Sequence, residues 1–105
     1  MAAKGKPRSK AKEQAQTFLA PVPEENVFWC CDGQVFKDIT QLAEGLKKMT
    51  DESFSYHCNM EKNDFYRWVK DVIKDSDMAN SLLTAVTRQQ AENVVSGRII
   101  VLSRK

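Results

Sequence analysis

The sequence of 105 residues lacks the features that mark several classes of protein. No apolar run approaches the roughly 20 residues that a membrane helix needs, so we expect no contact with the membrane interior. Glycine and proline occur only 4 and 3 times, which excludes collagen-like and low-complexity chains. The basic N-terminus is not followed by an apolar stretch, so it does not have the pattern of a secretory signal.

Cysteine is also scarce, with three residues of which two are adjacent. An odd number with this spacing does not suit a disulfide framework and is typical of reduced thiols, which indicates a cytoplasmic protein. What is present is ordinary globular usage, with 42% hydrophobic and 29% charged residues. A chain of this length and composition folds as one small domain.

The positive charge of the chain is concentrated at its N-terminus. Residues 1–16 hold five basic residues against one acidic residue, whereas the rest of the chain is mildly acidic. The basic residues stand at every second position: Lys4, Lys6, Arg8, Lys10 and Lys12. This segment has no apolar periodicity, so we expect residues 1–17 to form a disordered basic arm. Such an arm can follow a phosphate backbone without reading base sequence, although it can also act only as a solubilising leader.

Residues 18–26 are predicted to be an extended linker, because Pro21 and Pro23 each disfavour helix at the residue before them. Phe18 and Leu19 offer an alternative, since they could dock the segment onto the domain and make it a structured arm. The folded domain is expected to span residues 27–105.

A β-hairpin is predicted at the start of this domain. Asp32-Gly33 lies between two β-prone runs, a pattern typical of a type I′ turn. Because side chains alternate along a strand, Phe28 and Trp29 are expected on opposite faces. With Phe36 they form either a platform for stacking on nucleic-acid bases or, in the interpretation that we favour, part of the core.

Apolar residues at helical spacing predict four to five helices after the hairpin. Each predicted helix follows a residue or short segment suited to a helix start: Asp38, Thr50, Asn63, Asp75-Ser76-Asp77 and Thr87. Residues 98–102 fit either the end of the last helix or a strand, and we favour the helix. The predicted fold is therefore mainly α, a small helical bundle with an N-terminal β-hairpin.

Metal binding is one interpretation of the cysteines and the histidine. Thiol and imidazole ligands are available from Cys30, Cys31, His57 and Cys58. Adjacent residues of a strand point to opposite faces, so Cys30 and Cys31 are not expected to share one ion. One strand cysteine with His57 and Cys58 still leaves a tetrahedral site one ligand short. We therefore predict no metal and no cofactor.

His57 is the single histidine, and no catalytic constellation surrounds it in the sequence. The chain has no glycine-rich phosphate loop and no nucleophile elbow. We therefore expect no enzymatic activity and assign no catalytic residue.

The motifs resemble those of a known family. They are Cys31-Asp32-Gly33-x-Val35, Leu42-Ala43-x-x-Leu46-x-x-Met49, Phe54-x-x-His57 and Asn63-Asp64-Phe65-x-x-Trp68-x-x-Asp71-Val72. This pattern resembles a family of short prokaryotic proteins, largely archaeal, that is classed as a domain of unknown function. The resemblance covers about residues 28–96, and the basic arm lies outside it. It implies a mostly helical cytoplasmic domain and no catalytic roles.

The most specific part of the pattern also has a direct physical interpretation. Asn63 caps a helix, Trp68 is buried, and His57 reaches the turn at Asn63 and Asp64. These four residues would then lock the junction between two helices. Alternatively, they form a polar notch that recognises a partner.

The leading hypothesis is a non-enzymatic accessory module that associates with DNA, RNA or a ribonucleoprotein through the basic arm. The alternative is a protein-interaction or regulatory adaptor whose tail is passive. The sequence leaves the oligomeric state open.

Overall fold

The structure, a computed structural model, describes residues 10–105. In this range the helices are α1 (Lys10–Leu19), α2 (Ile39–Lys48), α3 (Asp51–His57), α4 (Asp64–Trp68), α5 (Ser76–Leu83) and α6 (Arg88–Ser103). The strands β1 (Phe28–Trp29) and β2 (Val35–Phe36) pair antiparallel. A 3₁₀ turn spans Glu24–Asn26, and a π-helical turn at Val69–Ile73 continues α4. The predicted class, a mainly α fold with an N-terminal hairpin, is confirmed.

The helices after the hairpin begin where the sequence predicts. In each case the N-cap side chain accepts a hydrogen bond from the backbone N–H three residues later, which satisfies a donor at the helix start. These caps are Asp38, Thr50, Asn63, Asp75 and Thr87. Gln90 completes a capping box with Thr87, and α6 continues through residues 98–102, so the helical interpretation of that segment is confirmed.

The hairpin forms, but its turn differs from the prediction. Phe28 pairs with Phe36 and Trp29 with Val35, and the Cys30 N–H donates to the Gln34 carbonyl at 2.9 Å. Three residues, 31–33, therefore form the loop. Gly33 has a φ of 96°, whereas Asp32 does not adopt a positive φ. The predicted two-residue type I′ turn is wrong, because that turn needs a positive φ at both central positions.

The predicted disordered arm over residues 1–17 and extended linker over 18–26 also differ from the structure. Residues 1–9 lie outside the described range, but α1 occupies the end of the arm and the start of the linker. Ala15 is 2% exposed, and Phe18 and Leu19 pack against the core. Burial of this apolar stripe offsets the cost of ordering a short, largely polar helix. The structure agrees with the alternative interpretation, in which Phe18 and Leu19 dock this segment onto the domain.

The segment after α1 remains attached to the domain. The Val22 N–H donates to the Lys37 carbonyl at 2.8 Å, next to the end of β2. The Trp68 indole N–H donates to the Asn26 carbonyl at 2.8 Å. Contacts between chain and core therefore start before residue 27, where the sequence places the domain boundary.

The inner face of the hairpin is the aromatic part of the core. The rings of Phe36, Phe28, Phe65 and Phe54 follow one another nearly parallel, with successive centroids 5.8, 5.2 and 5.5 Å apart. This stack joins β1 and β2 to α3 and α4. Trp29 lies on the other face and is 70% exposed. Phe28 and Phe36 are therefore core residues, and the three hairpin aromatics do not form a common stacking platform.

Helix α6 packs against α1, α2 and α5. A buried ion pair fixes its position relative to α5. Asp75, 1% exposed, accepts hydrogen bonds from Arg98 Nε at 2.6 Å and from Arg98 Nη2 at 3.1 Å. The same carboxylate caps α5 through the Met78 N–H. Since the pair is bidentate and Asp75 is buried, removing Arg98 would leave an uncompensated buried carboxylate.

Close approach of the hairpin to α2 depends on Gly45. A Cβ atom built on Gly45 would overlap the ring of Phe36, which is 2% exposed. Gly97, in α6, is the opposite case, because a Cβ there would meet no atom within 4 Å.

We expect Gly45→Ala to lower the free energy of unfolding by about 2 kcal/mol, because overpacking forces the buried Phe36 ring to move. Gly97→Ala is the matched control and should raise it by about 1 kcal/mol, since alanine is the better helix former. Urea denaturation followed by circular dichroism measures both. A neutral Gly45→Ala variant would contradict the close packing of β2 on α2.

Candidate functional site

The imidazole of His57 connects the hairpin to the junction between α3 and α4. Its side chain lies at the end of α3 and is 6% exposed. Nε2 accepts a hydrogen bond from the Cys31 N–H at 3.0 Å, and Nδ1 lies 2.9 Å from Asp64 Oδ2. One side chain therefore bonds both to the hairpin loop, at Cys31, and to the first residue of α4, Asp64.

These two partners determine the tautomer. A backbone N–H only donates, so Nε2 must present its lone pair to Cys31. The ring proton is then on Nδ1, which donates it to the Asp64 carboxylate. The neutral Nδ1–H form satisfies both nitrogens.

Aromatic rings enclose His57. The centroids of Phe28 and Tyr56 each lie 5.0 Å from the imidazole centroid in edge-to-face geometry, and that of Phe65 lies 5.5 Å away. This packing fixes the ring plane and keeps water away from most of the imidazole.

Asp64 is the acidic group of the site. Burial acts to raise the pKa of the Asp64 carboxyl, but the hydrogen bonds from His57 and Lys62, together with the charge of Lys62, outweigh burial and hold that pKa below its ordinary value of 3.8. Lys62 Nζ lies 2.9 Å from Asp64 Oδ2. At neutral pH Asp64 is therefore ionised and able to orient the imidazole.

The other two predicted site residues bond to neighbouring segments rather than to His57. Asn63 Oδ1 accepts the Tyr66 N–H at 3.0 Å as the α4 cap, and its amide donates to the Leu82 carbonyl at 3.1 Å. Trp68 donates to Asn26, as described above. Among residues 12–105, no buried side-chain nitrogen or oxygen lacks a hydrogen-bond partner. Bonds between neighbouring segments are what the lock interpretation predicts for these residues.

The three cysteines occupy different environments. Cys30 is buried, and burial raises the pKa of its thiol to about 11, which makes it a poor nucleophile at neutral pH. Cys31 is exposed on the hairpin loop. Cys58 is half-buried, its thiol lies 3.9 Å from the Ala85 carbonyl, and burial raises its pKa as well.

The structure places Cys30, Cys31 and His57 together. One ligand atom from each of the three lies within 4.8 Å of the others, and Cys58 is outside this group. The prediction that adjacent cysteines point apart is wrong for this pair. Cys30 ends the paired region and Cys31 is the first residue of the loop, so strand alternation does not apply to Cys31. The sequence signal that was missed is the three-residue loop, which begins at Cys31.

A surface cleft of about 460 Å³ lies between residues 58–63 and the segment that joins α5 to α6. Exposed apolar side chains line it: Met60, Leu83 and Val86. In the sequence, Leu83 and Val86 stand at helical spacing from residues that are buried. Their exposure could therefore not be predicted from the apolar pattern.

The predicted basic site is described only in part. Lys4, Lys6 and Arg8 lie outside the described residues, Lys10 is the first residue of α1, and Lys12 lies in its first turn. Two further arginines that could have extended a basic surface are engaged in structural contacts. Arg98 pairs with Asp75, and Arg88 bonds to Asp51 and to the carbonyls of Leu46 and Lys47.

Comparisons with protein-family models, with the curated proteins and with the solved structures gave no match for this chain. The family resemblance described above therefore stays a prediction. Among the helices of residues 10–105, none is both long and apolar enough to cross a bilayer.

Replacement of His57 by alanine distinguishes a structural role, in which His57 locks two helices together, from a role in recognising a partner. We expect His57→Ala to lower the free energy of unfolding by about 2–4 kcal/mol, because it removes two hydrogen bonds and leaves a cavity between aromatic rings. Met60→Ala, at a fully exposed position, should change it by less than about 0.5 kcal/mol. Unchanged thermal stability of His57→Ala, together with lost binding of a partner, would favour the notch.

Proposed function

We propose that this protein is a non-enzymatic, cytoplasmic accessory module that associates with DNA, RNA or a ribonucleoprotein through its basic N-terminal segment. The segment neutralises phosphates without reading bases, and the helical body positions the protein. The family that the motifs resemble, prokaryotic and largely archaeal, has no agreed catalytic role, which agrees with this assignment.

The observation that carries the proposal is the attachment of the basic segment to the body. Helix α1 begins at Lys10, inside the basic segment, and its buried Ala15 packs it against the domain. The arm is therefore joined to the body through an ordered helix. A phosphate backbone held by the arm would lie at a defined place on the protein.

Further basic residues lie beside this helix. Lys105 lines a shallow cleft together with Gln14 and Phe18, and Lys74 lines another on α1. Glu13 and Asp77 also border these clefts, so the basic character depends mainly on the arm.

Neutralising the five arm residues tests the proposal without disturbing the buried face of α1. We expect the full chain to bind duplex DNA or structured RNA with a log–log salt slope of up to about −4, since five phosphate contacts release about that number of counterions. Replacing Lys4, Lys6, Arg8, Lys10 and Lys12 by glutamine should abolish binding. Fluorescence anisotropy between roughly 50 and 200 mM salt measures the slope.

The control variant loses the same charge elsewhere. It carries glutamine at five exposed basic residues of the body: Lys37, Lys47, Lys48, Arg67 and Lys70. This variant should keep most of the affinity. Equal losses in both variants would indicate a net-charge effect, and no binding at low salt by the unmodified chain would refute the proposal.

The apolar cleft supports a second candidate function, a protein-interaction adaptor with a passive tail. Met60 and Val86 are 104% and 75% exposed, and both line the cleft. Exposed apolar side chains around one concavity are typical of a protein contact. Such a contact would depend little on salt, unlike phosphate binding.

A photo-crosslinking amino acid at position 86 tests this second function in intact cells. We expect it to capture a defined protein, and Val86→Asp to weaken the affinity of that purified protein by at least about tenfold. Ile100 is the matched control, because it is 53% exposed but lies outside the cleft. Equal capture from positions 86 and 100, or unchanged affinity of Val86→Asp, would contradict a docking role.

A further inference from the structure

The cluster of Cys30, Cys31 and His57 has no part in the proposed function, yet it has the composition of a metal site. Its two thiols and one imidazole come from the hairpin and from the end of α3, with the three ligand atoms within 4.8 Å of one another. Soft sulfur ligands with imidazole select thiophilic ions such as Zn²⁺ over Mg²⁺ or Ca²⁺.

The local backbone explains how adjacent cysteines can face one histidine. Cys30 is held by its N–H bond to the Gln34 carbonyl, and its own carbonyl accepts the Gly33 N–H at 3.0 Å. The chain therefore turns directly after Cys30. Cys31 lies in this turn, where the loop rather than the strand pleat sets the direction of its side chain.

The hydrogen bond of the His57 Nδ1–H is that of a typical metal-binding histidine. Its Nδ1–H donates to Asp64, which in turn accepts from Lys62 at 2.9 Å. A carboxylate in this position fixes the ring and directs the lone pair of Nε2 toward a metal. Nε2 faces the hairpin loop, where its lone pair accepts the Cys31 N–H, so a metal ion must displace this N–H in order to bind.

We propose that Cys30 Sγ, Cys31 Sγ and His57 Nε2 bind one Zn²⁺ ion, with the fourth coordination position open to solvent on the exposed side of Cys31. A tetrahedral zinc site separates such ligand atoms by about 3.5–3.8 Å, as follows from metal bonds of about 2.3 Å to sulfur and 2.0 Å to nitrogen. Closing the cluster takes sulfur movements of about 1 Å, which rotation of the exposed Cys31 side chain can supply. It also takes a shift of the loop backbone that moves the Cys31 N–H away from Nε2.

Binding of the metal ion replaces two S–H bonds and one hydrogen bond to Nε2 by three bonds to the metal. Each thiol gives one proton to the solvent, and the two thiolate electron pairs and the Nε2 lone pair become metal bonds. The Cys31 N–H loses its acceptor, and loop residues 31–33 must shift to turn it toward solvent. The proton on Nδ1 stays with His57 and continues to bond to Asp64.

Cobalt tests the site directly, because Co²⁺ takes the geometry of Zn²⁺ and absorbs light. The full chain, reduced and freed of metal, is titrated with Co²⁺ alone. We expect one equivalent to produce thiolate-to-cobalt charge-transfer bands and the intense visible bands of tetrahedral coordination. One equivalent of Zn²⁺ should then remove these bands and raise the thermal midpoint.

Cysteine variants assign the ligands. Cys31→Ser is at an exposed residue and should fold normally while losing the charge-transfer bands at matched metal concentration. Cys58→Ser is the control, because it removes the thiol outside the cluster and should keep the bands. Bands that persist in Cys31→Ser, disappear in Cys58→Ser, or never form in the unmodified chain each overturn the proposal.

Asp64→Asn tests the carboxylate that orients His57 separately from the three ligands. It keeps all three metal-binding atoms, so the cobalt spectrum should keep its form while the affinity for Zn²⁺ falls about 10- to 100-fold. Competition with a chromophoric chelator measures that affinity. An unchanged affinity would show that the histidine is not held for a metal.

Discussion

Placement of the hairpin depends on the two hydrogen bonds of His57. Strands of two residues each are too short to be stable alone, so β1 and β2 need an anchor on the helices. The imidazole supplies a polar anchor through the Cys31 N–H, and the ring of Phe28 supplies an apolar one 5.0 Å away. Because Nδ1 is bonded to Asp64, the same ring also fixes the start of α4 relative to the end of α3.

A second constraint holds the C-terminal half together. The Asp75 carboxylate caps α5 and pairs with Arg98 of α6 in a buried position. Helix α6 in turn contacts α2 and α1, so the segment that carries the basic arm is fixed through the same helix. Buried polar groups therefore determine where elements meet, while apolar side chains supply most of the driving force.

Local signals were predicted well, and relationships between distant segments were not. The five N-caps after the hairpin depend on a side chain and an N–H three residues away, so the sequence contains the whole interaction. Helix α1 was missed because a short helix is stable only when packed, and because its brief apolar stripe (Ala15, Phe18 and Leu19) is followed by Pro21 and Pro23, which favour extended chain. The type I′ turn was wrong because Asp-Gly also fits a three-residue loop with glycine at the position of positive φ.

The sequence by itself determined the helical class, the starts of the helices after the hairpin and the excess of positive over negative charge in residues 1–16, because each follows from residues near one another in the chain. Only the tertiary structure decided which cysteines meet His57, which apolar residues line an exposed cleft, and that the arm joins the body through a packed helix. These outcomes depend on the relative placement of elements. A one-residue change in a hairpin loop redirects a side chain, and periodicity cannot resolve that difference.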